Sequence, residues 1–239
     1  MLISAMVGID SRATMDIDTT LRNYPLNCES AEQIVRQIAD VEIDDKISFV
    51  IKKTEEIMED SEYQGVRLSL DAYLDKTRIP LKIDISTGDV ITPCEISFSY
   101  QLMFENRTIP LLAYPPETVL AEKLETILSR GEANTRLRDF YDVYILQRED
   151  FVVTPDALRH ALLATCRKRG HEDLLHTYAS ILDGVRQSGA MRAQWMKYQS
   201  DFDYAAGITW DTVLDTVETL CMKTLDDHAF GDELPQEES

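Results

Sequence analysis

The chain has 239 residues, 44% of them hydrophobic and 28% charged, a balance typical of a globular protein with one or two domains. Its 24 basic and 43 acidic residues give a net charge of −19. That charge opposes nonspecific binding to nucleic acid, although a local basic surface could still bind RNA. No apolar run approaches the roughly 20 residues that cross a bilayer, and no signal-peptide pattern is present. We therefore expect a cytoplasmic protein with no membrane contact.

The cysteines and histidines predict neither disulfides nor a zinc site. The four cysteines lie far apart with no paired spacing, which favours reduced thiols. The four histidines form no metal-binding pattern either. The cysteines are Cys28, Cys94, Cys166 and Cys221.

The first half of the chain predicts a mixture of helices and strands. A short helix over residues 2–7 ends at Gly8, and the alternation in residues 12–19 predicts the first strand. Ser30 and Gln33 have the spacing of a capping box, which would open the next helix. The apolar face of that helix would carry Ile34, Ile38 and Val41. Further strands are predicted over residues 47–51, 66–73, 81–85, 96–102 and 109–112, with residues 75–80 joining two of them as a hairpin connection.

From residue 113 onward the hydrophobic period changes to that of helices. Helices are predicted over residues 117–130, 136–146, 155–169, 173–187, 190–199 and 210–223. The chain is therefore predicted to be an α+β protein. Its domains would be an α/β domain over residues 1–112, a helical domain over residues 113–225 and an acidic, disordered tail over residues 226–239.

Two short acidic segments suggest a metal site. Asp16 and Asp18 lie two apart on a predicted strand, so both carboxylates point to one face. A later strand carries Lys82, Asp84 and Ser86 on one face and supplies a third carboxylate. Mg²⁺ usually takes one or two protein carboxylates and completes its shell with phosphate and water. The alternative is that these acids are solvated residues on an edge strand.

The helical half contains polar residues whose positions packing alone does not explain. Lys123 lies beside the apolar face of its helix. In the next helix Arg138 and Asp142 are four apart, and Arg136 and Asp139 are three apart, so neighbouring charges can pair. The alternative for this second segment is a salt-bridged helix face exposed to solvent.

Four motifs, in this order, resemble those of the AbiEii/AbiGii toxin family of abortive-infection and toxin–antitoxin systems, within the DNA polymerase β-like nucleotidyltransferase superfamily. The resemblance covers about residues 1 to 148. The motifs are Arg12-x-Thr14-x-Asp16-Ile-Asp18, Lys82-Ile-Asp84-Ile, Pro116-Glu-Thr-Val-Leu-Ala-Glu-Lys123-Leu-Glu and Arg136-Leu-Arg138-Asp139-Phe-Tyr-Asp142.

The resemblance implies a polymerase-β-like core with a mixed sheet, followed by a helical bundle. It also implies Mg²⁺-dependent transfer of a nucleoside monophosphate from an NTP, with a two-metal site. Asp16, Asp18 and Asp84 would hold the metal, and Asp84 would help to deprotonate the acceptor hydroxyl. Lys123 would neutralise the triphosphate. The residues that would contact the nucleotide or the acceptor are Arg12, Lys82, Arg136, Arg138, Asp139 and Asp142.

One feature of the family is missing. Its members carry Gly-Gly or Gly-Ser just before the helix that leads into the Asp16–Asp18 strand, where backbone N–H groups approach the triphosphate. Here that helix begins at Met1. Either translation starts further upstream, or the chain is a relative that binds phosphate poorly. If the chain as given is complete, we expect weak or no NTP binding.

The resemblance leaves the acceptor open. An RNA, such as a tRNA end, is the leading possibility, and a small molecule or a protein hydroxyl is the alternative. RNA binding would require a local basic patch. A third possibility is an inactive scaffold that binds a partner such as a cognate antitoxin. The basic residues that would have to gather are Arg130, Arg136, Arg138, Arg167, Lys168 and Arg169.

Overall fold

The computed structural model describes residues 2–8, 16–43, 46–58, 64–102, 105–148 and 153–226. The chain divides into two compact units, residues 1–89 and 90–239. The predicted α+β class with a mixed sheet is confirmed. The predicted boundary at residue 112 differs from the division at residue 89, and the domain assignment stays a prediction. The predicted disordered tail, from residue 227 onward, lies outside the described residues.

The first unit is built around a mixed sheet. Its elements are α1 (Leu2–Val7), β1 (Asp16–Leu21), α2 (Cys28–Ala39), β2 (Ile47–Met58), β3 (Gln64–Leu74) and β4 (Thr77–Thr87). The strand order is β1-β4-β3-β2, with β1 parallel to β4 and the other pairs antiparallel. Thus β4, with its predicted carboxylate, lies directly beside β1.

The two faces of this sheet differ in chemistry because strand side chains alternate between faces. On one face α2 packs against β2 and β3, and Ile85 of β4 belongs to the same core. This core is formed by side chains that are at most 5% exposed: Val66, Leu68, Leu70, Ile85, Ala31 and Val35. The intervening residues therefore point to the opposite face, which is polar and carries Arg67, Lys82 and Asp84.

A two-residue turn fixes the register between β3 and β4. Asp75 has a φ of 49°, a left-handed conformation that aspartate adopts more readily than most residues, and Leu74 pairs with Thr77 across the turn. The predicted connection over residues 75–80 is wrong in length, because β4 already begins at Thr77. In the register that this turn sets, Arg67 is paired with Asp84.

The start of α2 corrects another prediction. The capping box joins Asn27 and Ser30, not Ser30 and Gln33. Asn27 accepts from the Ser30 backbone N–H at 2.8 Å, and Ser30 Oγ accepts from the Asn27 backbone N–H at 3.0 Å. The buried side chains of α2 are Ala31 and Val35, and the predicted apolar position Ile34 is half-buried. The predicted apolar positions Ile38 and Val41 are exposed.

The second unit begins with a hairpin and continues as helices. Its elements are β5 (Ile96–Gln101), β6 (Thr108–Ala113), α3 (Pro116–Arg130), α4 (Leu137–Arg148), α5 (Pro155–Lys168), α6 (Leu174–Gln187), α7 (Gly189–Asp201) and α8 (Trp210–Leu225). Pro116 opens α3, and Gly131, with a φ of 47°, ends it in the left-handed region. These bounds agree with the predicted helices to within a few residues at each end.

The helices of this unit share one apolar core, in which α3 packs against α4 and α5, and α4 packs against α8. Fully buried side chains line these contacts: Leu120, Leu124, Ile127, Phe140, Val143, Leu158, Leu162, Val213 and Leu214. The aromatic residues of the C-terminal half were predicted to be core rather than a base-stacking surface. Burial of Tyr178, Trp195, Tyr198 and Trp210 agrees with that prediction, and Tyr204 is half-buried. Within the described ranges, no helix combines the length and hydropathy needed to cross a membrane.

Candidate active site

The predicted carboxylates of the first unit lie on adjacent parallel strands. In the register of β1 and β4, Asp18 is the partner of Asp84, and Asp16 is the partner of Lys82. Register partners point to the same face, so Asp18 and Asp84 share the polar face of the sheet. The side chain of Asp16 and all of Arg12 lie outside the described residues.

Asp84 is held by an arginine that the sequence analysis did not single out. Arg67 Nε donates to Asp84 Oδ1 at 2.7 Å, and Arg67 Nη2 donates to Asp84 Oδ2 at 2.6 Å. This bidentate geometry is the strongest form of carboxylate–arginine pairing. It fixes the plane of the Asp84 carboxylate and leaves each of its oxygens with a further lone pair.

Two residues further along the same strands lies a second polar cluster. Thr20 and Ser86 face each other with 3.0 Å between their hydroxyl oxygens. Both donate to Asp89 Oδ2, the Ser86 hydroxyl at 2.6 Å. The cluster ties the ends of β1 and β4 together, and thereby supports the register that brings Asp18 beside Asp84.

The donor chemistry of this face fits a hard divalent cation. Asp18 and Asp84 supply carboxylate oxygens from neighbouring strands, and Mg²⁺ needs few protein ligands when phosphate oxygens complete its shell. Among the described side chains, no three His, Cys, Asp or Glu residues form a cluster that could hold a metal alone. A three-carboxylate site therefore depends on Asp16.

In the second unit, the predicted residues of α3 and α4 do come together. Lys123 Nζ lies 2.5 Å from Asp139 Oδ1 and 3.3 Å from Asp142 Oδ2. Arg136 Nε lies 2.7 Å from Asp139 Oδ2. The two carboxylates are at most 1% exposed. The cluster therefore has two buried acids and two cations, of which Arg136 is half-exposed.

The charge state of Lys123 follows from these neighbours. Burial by itself lowers the pKa of the Lys123 ammonium, but the carboxylates of Asp139 and Asp142 outweigh it and hold the pKa above its ordinary value. Lys123 is therefore a fixed cation at neutral pH. A fixed cation is suited to binding a phosphate group and unsuited to acting as a base.

Arg138 has a different environment from its predicted neighbours. Its guanidinium carbon lies 5.4 Å from the ring centroid of Phe202, an arrangement typical of a cation–π contact. Phe202 in turn stacks with Tyr204 at 5.3 Å between centroids. Arg138 thus contacts an aromatic ring, whereas Arg136 contacts the carboxylate of Asp139.

A third buried charge cluster lies on α3 and was not predicted. Glu125 is 1% exposed and is bound by Arg169 and by His171, whose Nδ1 lies 2.7 Å from Glu125 Oε1. Arg167 pairs with Glu172 at 3.0 Å. The Arg167–Arg169 segment, considered as part of an RNA-binding patch, thus contributes two arginines to ion pairs within the second unit.

Some of the missed residues carried a signal in the sequence. Arg67 lies at an alternate position of a predicted strand, and a two-residue turn at Asp75 would have given its partner. Glu125 lies on the apolar side of α3, where an acid requires a buried cation. Its partner Arg169 is 44 residues away, and no local pattern identifies such a distant pair.

A family model described as the nucleotidyl transferase AbiEii toxin of type IV toxin–antitoxin systems matches residues 1–216. Two crystal structures from Helicobacter pylori, one titled as a proposed nucleotidyltransferase and the other as JHP933, each share 13% identity over 95% of this chain. They are covered over 95% and 91% of their lengths, with a TM-score of 0.39 in both cases. No curated protein matches the chain. Because the family model spans most of its length, this chain belongs to the AbiEii family of nucleotidyltransferase toxins.

Proposed function

We propose that the chain transfers a nucleoside monophosphate from an NTP to a hydroxyl group of an RNA in a Mg²⁺-dependent reaction. The observation that supports this most is the parallel pairing of β1 and β4, in which Asp18 is the register partner of Asp84. Two carboxylates on one sheet face are the usual protein share of a magnesium–triphosphate site. The family to which the chain belongs is one of nucleotidyltransferases.

In this proposal the carboxylates of Asp16, Asp18 and Asp84 hold Mg²⁺. The metal, when bound, neutralises the charge that develops on the triphosphate. Asp84 also accepts the proton of the acceptor hydroxyl. The acceptor oxygen forms a bond to the α-phosphorus while the bond from that phosphorus to the pyrophosphate oxygen breaks.

The remaining predicted residues bind and orient the substrates. Lys123 contacts the triphosphate, and Asp139 and Asp142 keep its ammonium charged and fixed in direction. Arg136 is half-exposed and presents a second cation. Arg12, Lys82 and Arg138 would contact the nucleotide or the acceptor.

A second acceptor class has specific support. Arg167 and Arg169 pair with acids of their own unit, and the net charge is −19. Both features weaken the case for a broad RNA-binding surface. A small molecule or a protein hydroxyl could use the same catalytic residues. We further propose that the chain acts as the toxin of a pair whose partner is an antitoxin.

The test is to incubate the chain with each of the four NTPs, labelled at the α-phosphate, together with Mg²⁺ and total tRNA. Separate reactions receive protein or a small-molecule extract. Label in tRNA, absent with Asp84→Asn, is the expected result. Label in one of the other acceptors supports the second class. No label in any acceptor would contradict enzymatic transfer and favour a scaffold.

A further inference from the structure

The polar face of the first unit's sheet carries an ordered row of charges. At one register across β1, β4, β3 and β2 lie Asp18, Asp84, Arg67 and Glu55, in that order. Arg67 is thus flanked by an acid on each side. Its Nε and Nη2 each donate a hydrogen bond to Asp84. Lys53 Nζ donates to Glu55 Oε2 at 2.6 Å.

This arrangement gives Arg67 two partners within reach. Directly paired residues of antiparallel strands have Cβ atoms roughly 5 Å apart, well within the length of an arginine side chain. Arg67 and Glu55 are each about 40% exposed, so neither side chain is locked by packing. Asp84 is more buried, at 16%. The guanidinium could therefore exchange one carboxylate for the other without leaving the sheet face.

We propose that Arg67 is a positioning residue that balances the charge of Asp84 when no metal is bound and shifts towards Glu55 when a divalent cation binds at Asp18 and Asp84. The inference rests on the proposed function of these carboxylates as metal ligands. Asp18 and Asp84 are register partners on one face of the sheet, and Arg67 brings a positive charge to that pair. Lys53 contacts only Oε2 of Glu55, and the displaced guanidinium would bind the other carboxylate oxygen, Oε1.

The proposal predicts how each substitution alters metal affinity. Arg67→Gln removes the competing cation, so the chain should bind Mn²⁺ without nucleotide about tenfold more tightly. Glu55→Gln removes the alternative partner and should weaken binding by about threefold. In the double variant Glu55→Gln should have no effect on Mn²⁺ affinity, because the Arg67 guanidinium that Glu55 would bind is absent.

The experiment is a titration of the full-length chain with Mn²⁺ in the absence of nucleotide, followed by the electron paramagnetic resonance signal of the free ion. Lys76→Gln is the matched control. It removes the same charge from the turn of the same hairpin, seven residues along each strand from the Arg67–Asp84 pair. Its Mn²⁺ affinity should equal that of the parent within about twofold, since the separation of roughly 20 Å exceeds the screening length.

Asp84→Asn tests the proposed metal site separately from the role of Arg67. If Asp84→Asn binds Mn²⁺ as the parent does, the proposed metal site itself is wrong. If Asp84→Asn loses binding but Arg67→Gln binds like the parent, the metal site stands and the role of Arg67 is refuted. If Arg67→Gln does not fold, Arg67→Lys replaces it. Lysine cannot engage both oxygens at once, so binding should tighten by about threefold, and unchanged binding would overturn the proposal.

Discussion

The ammonium of Lys123 lies 2.5 Å from one oxygen of Asp139, and both groups belong to the interior of the helical unit. Asp142, whose oxygen lies 3.3 Å from the same ammonium, is fully buried. Lys123 is thus the cation that both buried carboxylates share. Its role in folding must therefore be separated from its role in the reaction.

Replacing Lys123 by methionine should destabilise the chain by about 3 kcal/mol, because two buried acids lose their main counter-ion. Arg136→Gln should cost less than about 1 kcal/mol, since that arginine is half-exposed and solvent screens its charge. Urea unfolding followed by circular dichroism measures both. Equal losses for the two variants would contradict the assignment of Lys123 as the principal counter-ion.

The contribution of Lys123 to the free energy of unfolding should be lost only at high pH. Its pKa in the folded chain is raised above the ordinary value of 10.5, so the stabilisation is complete below that pH and is lost as the pH rises through the higher folded value. The difference in unfolding free energy between the parent and Lys123→Met should therefore be constant from pH 7 to 10. A difference that falls between pH 7 and 9 would show that the lysine is not held in its charged form.

Glu125 provides a contrast on the same helix. Glu125→Gln weakens its contacts with Arg169 and His171, and should lower stability by about 1–3 kcal/mol. Because Glu125 has no role in the proposed reaction, nucleotidyl transfer should remain within about twofold of the parent, whereas Lys123→Met should abolish it. The two variants are compared at a temperature where both are folded. Loss of transfer in Glu125→Gln would place this cluster in the active site.

The cysteines test the packing of the helical unit. Burial raises the pKa of the Cys166 and Cys221 thiols to about 12, whereas Cys94 is exposed. With a disulfide reagent at pH 8, Cys94 should react at once and half-buried Cys28 more slowly. Cys166 and Cys221 should react only on unfolding. Rapid reaction of all four thiols in the native chain would contradict the described core.

The order and type of the elements followed from the sequence because periodicity and turn residues are local signals. The register of β3 against β4 did not, because it depends on whether the connection has two residues or six. That single uncertainty concealed the pairing of Arg67 with Asp84. A strand pattern identifies which residues share a face, but the partner across the sheet is set by the turn.

The contacts of the helical half were predictable to different degrees. Arg136, which directly precedes α4, pairs with Asp139 at a spacing of three residues, as the sequence indicated. The contact of Lys123 with Asp139 joins two helices and was not predicted: the family resemblance marked both residues as site residues but did not pair them. The placement of Arg138 over Phe202 depends on a loop 64 residues further along the chain, which no local rule gives.

In the proposed reaction, transfer depends on Mg²⁺ held by the carboxylates of β1 and β4. The most direct measurement is the initial rate of label transfer from an NTP, with and without Mg²⁺, for the parent, Asp18→Asn and Asp84→Asn. Asp40→Asn, at the exposed end of α2, is the matched control. We expect transfer that requires Mg²⁺, falls about 100-fold or more in Asp18→Asn and Asp84→Asn, and is unchanged in Asp40→Asn. Transfer that persists in Asp18→Asn or Asp84→Asn, or without a divalent cation, would contradict the role of these carboxylates in holding Mg²⁺.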